Sequence, residues 1–364
     1  MFDASKKDAG LELRDDWPCP LIESSNSTPQ KICDSSSRYQ AILKMLQVAI
    51  CNTDVEITKG YVPGFQQVIG HEGVGEVVQI VETQTGSVVE DHDMLHARVV
   101  VEINCPCDDA CNGEAPESVE GKTTYLRNHA PKRTVLGIIA RDGLMADYCM
   151  VPLDNCHVVP ESVSNQEAAF CEPLAAAYRI VEQCLVATGD RVAVVGDGKL
   201  GLLIAHVLSV SGFDVSHYGR HERKLNLVAG TARRILVPSS SIEEDCGMFD
   251  VVVEASGSPD GIMMSIGLLR PMGRLVLKST CALDEKNQAS MPAWSAIAND
   301  IVVNEKILVG SRCGPMDKGL ELLQDASTRK LVNSMVDKVF QFDEGIKAFQ
   351  AASQRGALKV QITF

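Results

Sequence analysis

The pattern of apolar and polar positions differs between two parts of the chain. As far as about residue 160, short apolar stretches such as Ile42–Ile50, Gly73–Val81 and Ala97–Ile103 are separated by turns rich in Gly, Asp and Asn. Short alternating segments bounded by turn residues are typical of antiparallel strands with one buried face. The first part of the chain is therefore predicted to form a β-rich, barrel-like domain.

The second part of the chain, from residue 161, alternates helix-like and strand-like segments. A long apolar helix is expected at Asn165–Val186, and another helix at Lys199–Ser211. Four apolar runs that end at Gly or polar residues predict strands at Arg191–Val195, Asp214–Tyr218, Asp250–Glu254 and Arg274–Lys278. Strands that alternate with helices in this way predict a doubly wound parallel sheet with helices on both faces.

The last part of the chain returns to short strands and amphipathic helices, such as Asp317–Asp325 and Glu344–Ser353. We expect this part to complete the first domain. The predicted organisation is an α/β protein in which residues 1–160 and 303–364 form one domain and residues 161–302 form the other.

Composition limits the classes of partner. With 364 residues, 45% of them apolar, the chain is long enough for two folded cores. The net charge of −14 and the lack of any Lys/Arg block argue against nucleic acid or a membrane surface as partner, so we expect a small-molecule substrate. No apolar signal region or membrane-spanning run is present, and thirteen scattered cysteines fit reduced thiols, so we expect a cytoplasmic protein.

A glycine-rich turn follows the first predicted strand of the second part of the chain. Gly196, Gly198 and Gly201 form a G-x-G-x-x-G pattern between an apolar strand and an apolar helix. The three glycines permit a tight turn, close approach of a pyrophosphate and close strand–helix packing, and the helix N-terminus favours phosphate. The pattern predicts dinucleotide binding by this turn, whose intervening residues are Asp197, Lys199 and Leu200.

The end of the next strand bears on the choice of cofactor. NAD-preferring sites usually carry an acid there, whereas a 2′-phosphate needs a cation. Neither Gly219 nor Arg220 is acidic, and the Arg220 guanidinium is suited to a phosphate. NADP(H) is therefore favoured over NAD(H). Two alternatives stay open: the segment around Arg220 is only a solvated basic turn, or Glu222 binds the ribose of the cofactor.

Three short motifs carry candidate metal ligands. Cys51 begins Cys-Asn-Thr-Asp, His71 and Glu72 lie in Gly-His-Glu-Gly, and Glu172 follows Cys171 in Phe-Cys-Glu-Pro. A catalytic zinc ion takes three ligands of these types and leaves a fourth position for water or substrate. Cys51, His71 and either Glu172 or Cys171 supply that set, and Glu72 is an exchangeable ligand or a supporting group.

With these motifs the chain resembles the zinc-dependent alcohol dehydrogenases of the medium-chain dehydrogenase/reductase superfamily, especially the polyol, threonine and glucose dehydrogenase-like members. The resemblance runs from about residue 40 to the C-terminus and includes Asp142-Gly143-Leu-Met-Ala-Asp-Tyr148 and Glu254-Ala-Ser-Gly257. It implies a GroES-like catalytic domain and a Rossmann domain, with the active site in the cleft between them. Relatives are usually dimers or tetramers, so we expect a homodimer or homotetramer.

The resemblance also implies roles for individual residues. Cys51, His71 and Glu172 bind zinc, Thr53 begins a proton relay, and Asp54 orients His71. Arg312 matches an arginine that polyol dehydrogenase-like members place at the active site, and a buried salt bridge is its alternative role. Tyr61, Leu144 and Met145 are candidates for the substrate pocket.

Two features depart from the family pattern. The lobe that holds a structural zinc in many relatives has Cys105, Cys107 and Cys111 with altered spacing and no fourth cysteine, and His129 or an acid would have to complete a site. A closed four-thiolate site is therefore excluded. The second departure is Glu56, which stands where many relatives have a relay histidine.

The leading hypothesis is a zinc-dependent oxidoreductase that moves a hydride between NAD(P) and a secondary alcohol, polyol or sugar, or the matching carbonyl. The alternatives are a zinc-free NADPH carbonyl or enone reductase of the same superfamily and a catalytically silent nucleotide-binding redox sensor. An intact set of ligand residues favours the first.

Overall fold

A computed structural model describes residues 2–6, 10–21, 37–106, 121–231, 233–238, 241–280 and 294–364. The strands are β1 Phe2–Lys6, β2 Gly10–Leu13, β3 Tyr39–Ala49, β4 Glu72–Glu82, β5 Arg98–Val101, β6 Asn104–Cys105, β7 Thr134–Leu136, β8 Ala140–Arg141, β9 Tyr148–Pro152, β10 Cys156–Val158, β11 Arg191–Val195, β12 Asp214–Gly219, β13 Arg233–Leu236, β14 Phe249–Glu254, β15 Leu269–Leu277, β16 Ile307–Gly310, β17 Val336–Gln341 and β18 Lys359–Thr363. The α-helices are α1 Asn52–Ile57, α2 Lys122–His129, α3 Asn165–Ala168, α4 Cys171–Glu182, α5 Lys199–Val210, α6 Glu222–Leu225, α7 Ser241–Asp245, α8 Pro259–Leu268, α9 Trp294–Val303, α10 Met316–Gln324, α11 Ala326–Met335 and α12 Gly345–Ala352.

The chain divides into two compact units, Met1–Glu172 with Pro315–Phe364, and Pro173–Gly314. Both boundaries lie about a dozen residues beyond the predicted 160 and 302. The first is later because α3 belongs to the first unit, where Gln166 and Glu167 exchange side-chain hydrogen bonds with Asn333. The second is later because β16 pairs in parallel with β15.

The first unit is built on a mainly antiparallel seven-stranded sheet in the order β10-β5-β4-β3-β18-β17, with β9 also paired to β3. Burial along β3 does not alternate: consecutive residues at 40–43 and 47–49 are buried, so both faces of this central strand are largely covered. The C-terminal strand β18 lies beside β3, with Gln361 opposite Ala49. The last residues of the chain thus complete the sheet that its first part begins.

The second unit contains a six-stranded parallel sheet in the order β13-β12-β11-β14-β15-β16. The central strands β11 and β14 are mainly apolar and almost wholly buried because both faces of a parallel sheet are covered, whereas the edge strands β13 and β16 are largely exposed. The predicted α/β fold class, a GroES-like domain with a Rossmann sheet, is confirmed. None of the described helices has the length and apolar character required to cross a bilayer.

One predicted helix is wrong in extent. The apolar segment Asn165–Val186 forms two helices, α3 and α4, instead of one. Ser164 caps α3 through its hydroxyl, which accepts from the Glu167 amide, and Ala169 is the C-cap of this helix. Pro173 then falls in the first turn of α4, where the missing N–H costs nothing, whereas in one continuous helix it would break a backbone hydrogen bond.

Candidate functional site

A thiol, an imidazole and a carboxylate meet at one end of the β3–β4 pair. Ala49 lies opposite Glu72 in the register of these strands, so the residues just outside them, Cys51 and His71, are brought together. The ligand atoms of Cys51, His71 and Glu72 all lie within 4.8 Å of one another. His71 and Glu72 are buried, and Cys51 is partly exposed.

Asp54 fixes the positions of two of these groups. Its carboxylate accepts from the backbone amides of Cys51, at 2.8 Å, and Gly70, at 3.2 Å, and its Oδ1 lies 3.2 Å from His71 Nδ1. Burial alone would lower the pKa of His71, but the Asp54 carboxylate and the Cys51 thiol raise this pKa well above its ordinary value. Asp54 therefore orients the imidazole and adds negative charge behind it.

Glu72 forms a buried ion pair with Lys359 of β18. Both side chains are 2% exposed, and the Lys359 ammonium also lies 5.6 Å from the centre of the Phe170 ring. Burial opposes the charge on Lys359, but the Glu72 carboxylate outweighs it and raises the lysine pKa. Lys359 was not predicted from the sequence, because its only signal is a lysine at the start of a short strand.

Glu172 lies outside the 4.8 Å set formed by the other three residues. Burial raises its pKa to about 7, although the neighbouring His71 opposes the rise. The charges of His71, Glu72 and Lys359 all act on this pKa, so Glu172 belongs to the same electrostatic environment as the three-residue set. Thr53 is partly exposed on α1, and Glu56 pairs with Lys59 at 2.8 Å on the surface of that helix.

The alternative sulfur ligands are engaged elsewhere. The Cys171 thiol donates to the Met316 carbonyl at 3.3 Å, and burial raises its pKa well above the ordinary value. In the altered lobe, Cys105 is buried and accepts from Asn155 Nδ2 at 3.4 Å, while Cys107 and Cys111 lie outside the described residues. The contacts of Cys171 and of Cys105 do not favour zinc binding by these two thiols.

The candidate pocket residues differ in exposure. Tyr61 is 54% exposed, whereas Leu144 and Met145 are fully buried. Met145 packs against Gly70, where an added Cβ would lie 2.6 Å from the methionine Cγ. Leu144 and Met145 thus support the backbone that precedes His71.

In the second unit, the glycine-rich turn links β11 to α5 as predicted. Gly196 has φ +120°, a conformation that favours glycine, and Gly198 is the N-cap of α5. A Cβ at Gly201 would collide with the Gly196 carbonyl oxygen, whereas a Cβ at Gly198 would meet nothing within 4 Å. The three glycines therefore have different physical roles.

The residues between and beyond these glycines lie on two sides of the turn. Lys199 and Leu200 begin α5, whereas the Asp197 carboxylate contacts the backbone of Arg220 and His221 at the end of β12. His217 of β12 holds the turn through a 2.9 Å hydrogen bond to the Gly196 carbonyl. Arg312 is exposed, which does not fit the alternative of a buried salt bridge.

Comparison with known proteins identifies the family. Residues 158–364, more than half of the chain, match the family model of the glucose dehydrogenase C-terminus, and residues 37–161 match that of the alcohol dehydrogenase GroES-like domain. The chain is a zinc-dependent alcohol dehydrogenase-like member of the medium-chain dehydrogenase/reductase superfamily.

Similar proteins extend over nearly the whole chain. The D-xylulose reductase A of Aspergillus oryzae is 28% identical over 342 residues, 89% of each chain. The sorbitol dehydrogenase of Halalkalibacterium halodurans is 26% identical over 344 residues, 90% of this chain and 92% of its own. The solved alcohol dehydrogenase of Thermotoga maritima shares the fold of this dehydrogenase, with a TM-score of 0.76, 17% identity and coverage of 100% and 98%.

The buried ion pair of this dehydrogenase is open to a direct test. Lys359→Met leaves the Glu72 carboxylate buried and unpaired, so we expect the free energy of unfolding of chelator-treated protein to fall by about 3 kcal/mol. The double variant with Glu72→Met should recover most of this loss. Urea unfolding measures both values. Additive losses in the double variant would contradict the pairing.

The glycine-rich turn gives a second test with an internal control. Gly201→Ala should lower the free energy of unfolding by about 1–3 kcal/mol because the new methyl group overpacks against the Gly196 carbonyl. Gly198→Ala fills open space and should lower it by less, about 0.5–1 kcal/mol, because alanine is only a poorer N-cap. The same urea experiment compares them, and equal losses would refute the assigned packing role of Gly201.

Proposed function

We propose that this chain is a zinc-dependent oxidoreductase that moves a hydride between a nicotinamide cofactor and a secondary alcohol, polyol or sugar. The observation that carries the proposal is the set of Cys51, His71 and Glu72, whose donor atoms lie within 4.8 Å of one another, with His71 and Glu72 buried and Cys51 partly exposed. Relatives named D-xylulose reductase and sorbitol dehydrogenase support the substrate class. The class includes the matching ketones, because hydride transfer is reversible.

The chemistry of the donor set fits zinc. Thiolate, imidazole and carboxylate are its usual protein ligands, and three of them leave one coordination position open in a catalytic site. Cys51 and His71 would provide two ligands. Glu172, as the family resemblance implies, or Glu72, as its proximity favours, would provide the third. Glu72 has its charge balanced by Lys359, which supports a role as the exchangeable or supporting carboxylate.

The chain's own residues would prepare and move the proton of the substrate. When bound, zinc polarises the substrate oxygen and lowers the pKa of its hydroxyl. Asp54 would hold His71 in the orientation that its 3.2 Å contact defines. The hydroxyl of Thr53, partly exposed on α1, would accept the substrate proton as it releases its own, and Glu56 at the surface of the same helix would receive that proton, through water, and pass it to solvent.

The glycine-rich turn would bind the pyrophosphate of the cofactor. Gly198 as N-cap of the twelve-residue helix α5 supplies the backbone amides and positive helix end that favour phosphate. The basic residue Arg220 without an acid at Gly219 is the basis for predicting NADP(H) over NAD(H). That preference is a prediction from the sequence alone, and the contacts of Asp197 with the backbone of Arg220 and His221 favour the opposite preference, NAD(H) over NADP(H).

Assembly is also a proposal. The edge strand β16 and its surroundings expose several large apolar side chains in the second unit: Met272, Val302, Val303, Ile307 and Leu308. An exposed apolar edge strand is suited to pairing with another copy of the same strand. This surface supports the predicted homo-oligomer, and a cytoplasmic location likewise stays a prediction.

Zinc content and turnover test the proposed function together. Protein purified without chelator should contain about one zinc ion per chain and oxidise a polyol with NAD or NADP. Cys51→Ser should lose the zinc and turnover because it removes a thiolate ligand. Cys171→Ser is the matched control and should retain both, since its thiol contacts the Met316 carbonyl.

Two results would contradict this account. A wild-type protein that reduces carbonyls without zinc would favour the zinc-free reductase. A protein that binds cofactor but turns over no alcohol or carbonyl would favour the silent sensor.

A further inference from the structure

A carboxylate from the glycine-rich turn occupies the carboxyl end of β12. Asp197 Oδ2 accepts from the backbone amides of Arg220, at 2.7 Å, and His221, at 2.6 Å. It also lies 2.9 Å from His221 Nδ1. Asp197 is only 8% exposed, so these three donors form a nearly closed site around an internal anion.

Gly219 marks the position where an NAD-preferring strand usually carries Asp or Glu. A Cβ added at Gly219 would lie 2.6 Å from Asp197 Cβ and 2.9 Å from Asp197 Oδ2. A side chain at 219 and the side chain of Asp197 therefore compete for the same space. Asp197 of the glycine-rich turn therefore places a carboxylate where β12 lacks one at Gly219.

We propose that Asp197 is a specificity-determining residue that selects NAD(H) by disfavouring the 2′-phosphate of NADP(H). This inference rests on the proposed function, since it concerns the cofactor of that reaction. A 2′-phosphate at the end of β12 would meet the Asp197 carboxylate, and the amides of Arg220 and His221 that could bind it are already used. A ribose hydroxyl, in contrast, can donate to a carboxylate.

The Asp197 carboxylate is buried, whereas the basic residues Arg220, His221 and Arg223 at this end of the strand are exposed. Burial would raise the pKa of Asp197, but the hydrogen bonds from His221 and Arg220 outweigh it and lower this pKa, so the carboxylate is ionised near pH 7. Arg220 is exposed to solvent. Because an exposed ion pair gains little in water, whereas a buried charge is weakly screened, Asp197 outweighs Arg220.

Binding of adenosine ligands isolates this effect from zinc and from turnover. Calorimetry compares adenosine 5′-monophosphate with adenosine 2′,5′-bisphosphate, and NAD with NADP, for wild type and Asp197→Asn. We expect wild type to favour the ligands with a free 2′-hydroxyl. Asp197→Asn should shift the affinity ratio toward the 2′-phosphate ligands by about tenfold or more, and the shift should shrink at high salt.

Asp214→Asn is the matched control. It removes the same charge from the exposed start of β12, roughly 16 Å along the strand from Gly219, and should change the ratio by less than about twofold. Asp197→Ser, whose hydroxyl can still accept an N–H, is a second variant if the amide destabilises the turn. Thermal unfolding checks that each variant is folded.

The outcomes separate this inference from the proposed function. A wild type that prefers the 2′-phosphate ligands, or Asp197 variants whose ratio matches that of Asp214→Asn, would overturn the role of Asp197 alone. Failure to bind any of the four ligands would overturn both this role and the nicotinamide-dependent function.

Discussion

The burial of several ionisable side chains around Cys51 is the constraint on which the first unit depends. Asp54, Glu72, Glu172 and an ionised Cys51 would bring four negative charges together, against one positive charge on Lys359. Buried charges are stable only when they are paired or bound to a cation. Bound protons can neutralise part of this negative charge, and the raised pKa values of His71 and Glu172 show that both groups bind protons more readily here. A divalent cation supplies it while leaving the thiol ionised.

The sheet of this unit brings the charges together from distant parts of the chain. The β3–β4 register places Cys51 beside His71, and β18 adds Lys359 from 287 positions beyond Glu72. Removing either end of this arrangement leaves a buried charge without its partner. The C-terminal strand therefore contributes to the candidate site as well as to the sheet.

Local patterns account for what the sequence could predict. The G-x-G-x-x-G spacing and the apolar runs identified the turn from β11 to α5, because each depends on neighbouring residues. Lys359 and the contacts of Asp197 could not be predicted in the same way, since their partners lie on other strands or turns. The split of Asn165–Val186 could have been predicted from Ser164 and Pro173, which are local cap and breaker signals.

The identity of the zinc ligands is the central claim, and X-ray absorption at the zinc edge of purified, zinc-loaded protein tests it most directly. The account predicts one sulfur ligand at about 2.3 Å and otherwise nitrogen and oxygen ligands at about 2.0–2.2 Å. Two or more sulfur ligands would place zinc at Cys171 or in the cysteine lobe. That result, or failure of the protein to retain zinc, would contradict the site built from Cys51, His71 and a glutamate.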